Sequence, residues 1–151
     1  MPVFQYQLHR PEEIFALANE LAQHFPDPDT VQIGIYELLL NALEHGNLAI
    51  CEVLKIELMR EYRWQQEVER RMQLPEYRDR QVEVILEVDE EACCIVITDQ
   101  GEGFDWQHYM TPGRRTRDQL CGLGLLMVRH AGFDAITFNE KGNQVRCSVR
   151  K

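Results

Sequence analysis

ELLLNALEHG, residues 37 to 46, is the stretch on which the reading of this chain turns. Glu37 and Asn41 stand one helical turn apart, so they project to the same side. Around them Val31, Ile35, Leu38, Leu39 and Ala42 recur at helical spacing and form a buried stripe, with Glu37 and Asn41 beside it. Asp29, with Gln32 three residues on, is the expected N-cap, and Gly46 with Asn47 the expected stop. A carboxylate and an amide in one pocket suit phosphoryl chemistry. The first can take a proton from a hydroxyl or a water, and the second can ligate Mg²⁺ while phosphate oxygens fill other positions on the ion. A solvated polar helix face has the same pattern, so this stretch gains meaning only from its neighbours.

Toward the N-terminus, Phe4 to Leu8 alternates apolar and polar residues as a short edge strand does. Ile14, Leu17, Ala18, Leu21 and Ala22 then define a first amphipathic helix that ends before Pro26 and Pro28. Beyond the central helix, residues Cys51 to Met72 are rich in Glu, Arg and Gln and predict a third, largely solvated helix before Pro75, and the whole segment from Asn47 to Gln81 suits either such a helix or a partner-docking element. Val82 to Val88 and Cys93 to Thr98, separated by Asp89, Glu90 and Glu91, read as an antiparallel hairpin. Leu123 to His130 resumes as an apolar helix. Ala135 to Phe138 and Val145 to Val149, joined across Lys141 and Gly142, form a second hairpin. This order predicts an α+β fold, a two-layer sandwich whose mixed, mainly antiparallel sheet is covered on one face by helices.

Two glycine-bearing segments follow the strands. DQGEGFD, residues 99 to 105, begins where a strand ends. A carboxylate there can accept a hydrogen bond from the exocyclic amino group of adenine, whereas guanine would present an acceptor and be repelled. Gly101 and Gly103 allow close backbone approach of a ligand, although a capped glycine turn would also use them. CGLGLLMVRHAG, residues 121 to 132, opens a helix with Gly122 and Gly124, where amide hydrogens point toward an anion such as a phosphate. Met127 stands where a dinucleotide GxGxxG signature needs a third glycine, and the chain contains no GxxxxGK[ST]. Between the two segments, Arg114, Arg115, Thr116 and Arg117 suit either a lid over β- and γ-phosphates or a plain solvated loop.

Composition narrows the functional classes. The 151 residues carry 25 acidic against 16 basic side chains, a net charge of −9, which disfavours a phosphate-tracking nucleic-acid surface. One domain spanning residues 1–151 is expected at this length. Five cysteines without CxxC spacing suggest reduced thiols, and adjacent Cys93 and Cys94 should point to opposite faces of a strand. With neither a signal peptide nor a membrane-length apolar run, a cytoplasmic protein with no membrane partner is expected.

Taken in order, ExxxN on a helix, DxGxG after a strand and GxG opening a helix resemble the N, G1 and G2 boxes of the histidine-kinase-like (GHKL) ATPases over about residues 30 to 149. That resemblance implies the Bergerat ATP-binding fold with ATP and Mg²⁺ as cofactors. NALEHGN and the compact length look like the serine kinases that act as anti-sigma factors and the related regulatory ATPase domains found beside phosphatase or receiver domains. Carried over from that resemblance, Glu37 is the general base toward a protein serine and Asn41 holds Mg²⁺. Asp99 binds adenine, and Gly101, Gly103, Gly122 and Gly124 shape the nucleotide site. His45, Arg115, Thr116, Leu123 and Leu125 join the cofactor-binding set on their position beside these motifs. Asn143 follows Gly142 where such proteins often carry threonine, which implies a weaker adenine contact. The expected partner is a protein, a sigma factor or an anti-anti-sigma protein, and the family analogy adds a homodimer. Two functions stand side by side: transfer of the ATP γ-phosphate to a partner serine, and an ATP-gated module that sequesters its partner without turnover.

Overall fold

The computed structural model describes residues 2–107 and 132–151. Among them run β1 (Val3–Leu8), a 3₁₀ turn (Pro11–Glu13), α1 (Ile14–Ala22), α2 (Pro28–Asn41) and a π-helical turn (Ala42–Asn47). Next come α3 (Glu52–Arg60), α4 (Trp64–Met72), β2 (Val82–Val88), β3 (Ala92–Thr98), β4 (Ala135–Phe138) and β5 (Gln144–Arg150). The helix expected at Leu123 to His130, the Arg114 to Arg117 cluster and the glycines at 122 and 124 lie outside the described residues.

The strands form one sheet in the order β1-β2-β3-β5-β4, with every described pairing antiparallel. Register puts alternate residues in cross-strand rows, because successive side chains point to opposite faces. One row is Phe4, Leu86, Ile95, Cys147 and Ile136, and the next is Tyr6, Val84, Ile97, Val145 and Phe138. These rows pack against Ile14, Ala18 and Leu21 of α1 and Val31, Ile35, Leu38 and Leu39 of α2. Burying each such leucine or isoleucine stabilises the fold by roughly 1.5–3 kcal/mol. The opposite face mixes Ile85, Val96 and Cys94 with polar residues, Gln5 bonding Glu83 and Arg146 pairing with Glu87 at 3.2 Å. The fold is thus the α+β sandwich expected, with helices on one face. Cys93 sits in the inner register and donates to the His24 carbonyl, while Cys94 pairs across to Glu87 and Ser148 on the other face.

Three local expectations are corrected. The N-cap of α2 is Asp27, whose carboxylate accepts the Thr30 amide; Asp29 lies in the first turn. Pro28 explains the shift, since a first helical position needs no N–H donor. The helical run does end at Asn47, but Gly46 is not its left-handed cap. The backbone instead widens into the π turn, closed by Leu48 N–H to the Leu43 carbonyl at 3.0 Å, and the chain leaves at Ala49 with φ 54°. Finally, residues 51–72 are two helices. Arg63 N–H bonds the Leu58 carbonyl at 2.8 Å and Tyr62 N–H that of Met59 at 3.2 Å, a Schellman closure with Tyr62 at φ 57°. Nor is this segment merely solvated: Leu58 and Val68 bury themselves with Leu48 and Ile50 in a second core, flanked by Leu54, Trp64, Met72 and Tyr77. No described helix is long and apolar enough to cross a membrane.

Candidate functional site

The end of α2 and the π turn face the turn after β3 at unusually short range. A Cβ on Gly46 would lie 2.6 Å from both carboxylate oxygens of Asp99, and one on Gly101 would lie 2.7 Å from the Gly46 carbonyl carbon. Neither approach is compatible with a side chain, so the two glycines let the helix end and the Asp99 turn meet. Asn47, fully buried, fixes the contact by accepting the Gln100 amide on Oδ1 at 2.7 Å. On its other side the turn locks against the β4–β5 connection. Asp99 N–H donates to the Asn143 carbonyl at 2.9 Å, and Asn143 Nδ2 donates to the Asp99 carbonyl at 3.0 Å. Asn139 holds that connection by accepting the amides of Gly142, Asn143 and Gln144 on one oxygen.

Between these pieces opens a cavity of about 570 Å³. The α2 end and π turn contribute Leu38, Asn41, Ala42, His45 and Gly46, and the Asp99 turn contributes Asp99, Glu102, Gly103 and Phe104. From the last hairpin come Phe138, Gly142, Asn143 and Gln144, with Ile97 and Val145 behind. Asn41, His45, Asp99 and Gly103 are therefore brought together as the motifs suggested. Gly101 is buried behind Asp99 rather than in the wall, which makes its requirement one of packing. Glu37 is half-buried one turn back from Asn41 and outside the described lining. Arg115, Thr116, Gly122, Leu123, Gly124 and Leu125 lie outside the described residues.

Asp99 has the chemistry of a ligand-reading carboxylate. Its Oδ1 accepts the Gly101 amide at 2.8 Å, and among the described residues nothing bonds Oδ2. Burial pushes its pKa up to about 6, against the pull of the Gly101 amide and of Lys141 and Arg80. At neutral pH it is still ionised and ready to accept a hydrogen bond. The Asn41 side chain makes no hydrogen bond among the described residues and lines the same cavity.

Those residues fit a magnesium–nucleotide complex. No group of three or more His, Cys, Asp or Glu among the described residues is arranged to hold a metal. A single amide oxygen with phosphate oxygens completing the shell is what Mg²⁺ commonly uses.

In the wall and behind it lies a charge cluster that sequence spacing did not reveal. Glu44 is fully buried and its Oε2 meets Lys55 Nζ at 2.8 Å. His45 Nε2 lies 2.8 Å from Glu52, and Nδ1 faces the Ile50 carbonyl. Burial alone would lower the His45 pKa, but the carboxylate and carbonyl acceptors outweigh it and raise it. Burial raises the Glu37 carboxyl, with Lys55 opposing and Glu44 and Glu52 reinforcing the shift. The other unforeseen lining comes from the long segment after the π turn: Ala49, Cys51, Glu52, Glu76, Tyr77 and Arg80. Its only sequence signal was an arginine and an aromatic near the return to β2, unremarkable in a polar stretch.

A helix carrying Asn41, a strand-end aspartate and glycine-mediated contacts thus surround one cavity. Residues 11–149 match the model of the histidine kinase-like ATPase domain, and the chain belongs to that family. A search of curated proteins finds no match.

Proposed function

We propose that this chain binds ATP with Mg²⁺ in the cavity and transfers the γ-phosphate to a serine of a regulatory protein, as the anti-sigma-factor kinases it resembles do. The observation that carries this reading is the pairing of an uncommitted Asp99 oxygen with an uncommitted Asn41 amide in one cavity of nucleotide size. Asp99 accepts the adenine amino group, and Asn143, buttressing the Asp99 backbone, takes the place of the threonine of related proteins. Mg²⁺, held through Asn41, would neutralise phosphate charge.

The serine Oγ attacks the γ-phosphorus, the bond from that phosphorus to the β–γ bridging oxygen breaks, and ADP leaves. Glu37 receives the serine proton. A carboxyl raised by burial is a stronger base than a solvated one, which suits this role. The partner is an anti-anti-sigma protein or a sigma factor in the cytoplasm, and the family resemblance assigns Arg115, Thr116, Gly122, Leu123, Gly124 and Leu125 to nucleotide binding.

The position of Glu37 outside the described lining favours a second reading, an ATP-gated binding module without turnover. Labelled ATP, Mg²⁺ and candidate partner proteins separate the two. Under the kinase reading the partner acquires label, and Glu37→Gln keeps ATP affinity while lowering transfer by about 10²–10⁴-fold. Partner co-elution dependent on ATP, with no label transferred by the wild type, would establish the binding module instead.

A further inference from the structure

The segment joining the π turn to β2 contributes to the cavity from a direction the three motifs do not. Arg80 donates from Nη1 to the Asn47 carbonyl at 2.9 Å, and Asn47 in turn accepts the Gln100 amide. Gln81 N–H bonds the Gln100 side chain at 2.6 Å. Arg80 is thereby tied to the turn that presents Asp99, and its charge acts on that carboxylate. Its guanidinium lies over the Tyr77 ring at 5.1 Å, and both side chains are half-buried and line the cavity.

Building on the ATP reading, we infer that Tyr77 and Arg80 form a planar wall at the purine end of the cavity and contribute to its preference for an adenine nucleotide. A guanidinium stacked on an aromatic ring is flat, weakly hydrated and held in place, so it can lie against a purine face at little entropic cost. Its remaining donors are free to meet purine ring nitrogens while Asp99 accepts from the amino group. The alternative for an arginine beside an ATP cavity is a phosphate contact. Its bond to Asn47, next to the Asp99 turn, argues for the base end instead.

Calorimetric titration of adenosine, ADP and ATP–Mg²⁺ into wild type, Arg80→Met, Arg80→Lys and Tyr77→Leu tests this. Lysine keeps the charge and a donor for the Asn47 carbonyl but loses the plane. Arg80→Met and Arg80→Lys should each weaken all three ligands by a similar factor, about tenfold, with Tyr77→Leu shifting in the same direction. Circular dichroism and melting identical to wild type exclude a folding defect as the cause, and a variant that does not fold leaves the other two to decide. A loss that grows from adenosine to ATP would make Arg80 a phosphate ligand and overturn the inference. Full rescue by lysine, or unchanged affinities, would overturn it too. If wild type binds all three and Asp99→Asn weakens them while the Arg80 and Tyr77 variants do not, only this inference falls. Wild type that binds none of them removes the ATP reading itself.

Discussion

Burying the Asp99 carboxyl costs stability, and the proposed adenine contact sets that cost against ligand reading. Its carboxyl ordinarily titrates near 3.8 and is pushed up to about 6 in the fold by burial. Because the folded pKa is the higher, the native state holds its proton where the unfolded chain has already released one. Stability is therefore fully present below about pH 4 and declines as pH rises through 6. The full shift would correspond to about 3 kcal/mol, and partial solvation of the group reduces the expected cost to on the order of 1–2 kcal/mol. Asp99→Asn should therefore melt higher than wild type at pH 8 and equal to it at pH 4, while calorimetry shows ATP affinity sharply reduced. An asparagine variant that is no more stable at pH 8, or that binds ATP like wild type, would contradict the burial or the adenine role respectively.

Between single residues and the whole lies the run from the π turn through α3 and α4, where sequence was least legible. The five strands and the first two helices followed from apolar periodicity, which packing against one face enforces. The break between α3 and α4 carried no such signal, because Tyr62 occupies the left-handed position where glycine is the usual marker. Tyr62 is 97 % exposed and its ring has little contact to lose. Tyr62→Gly should accordingly raise stability by about 1 kcal/mol in urea denaturation, and a loss would show that the ring matters after all. The charge cluster was hidden for a different reason: Lys55 and Glu44 are eleven positions apart and meet only because the π turn folds α3 back. Lys55→Met strands a fully buried carboxylate and should cost about 3–5 kcal/mol, while Lys55→Met with Glu44→Leu recovers most of it. Additive losses in that double-mutant cycle would mean that the pair is not coupled.

At the scale of the molecule, two apolar cores meet at the cavity. The larger joins the sheet to α1 and α2, and the smaller holds α3 and α4 against Leu48 and Ile50. Arg71 and Arg80 bridge to the backbone at that meeting, donating to the carbonyls of Leu48, Ala49 and Asn47. Such an arrangement permits local opening of the smaller unit while the sheet stays closed, since each region unfolds with its own free energy. Leu58, 5 % exposed, belongs to the smaller core, and Leu39, fully buried, to the larger. Truncation of either leucine to alanine costs about 2–5 kcal/mol within its own core. Hydrogen exchange should then separate them: Leu58→Ala accelerates amides from residue 48 to 80 and weakens ATP binding while β2, β3 and β5 remain protected, whereas Leu39→Ala accelerates the sheet as well. Saturating ATP should slow exchange in the 48–80 segment of wild type, because a ligand touching both units stabilises the one that opens more easily. Uniform acceleration in the Leu58 variant would mean that the two cores unfold as one, and that the wall carrying Tyr77 and Arg80 has no independent motion for a nucleotide to restrain.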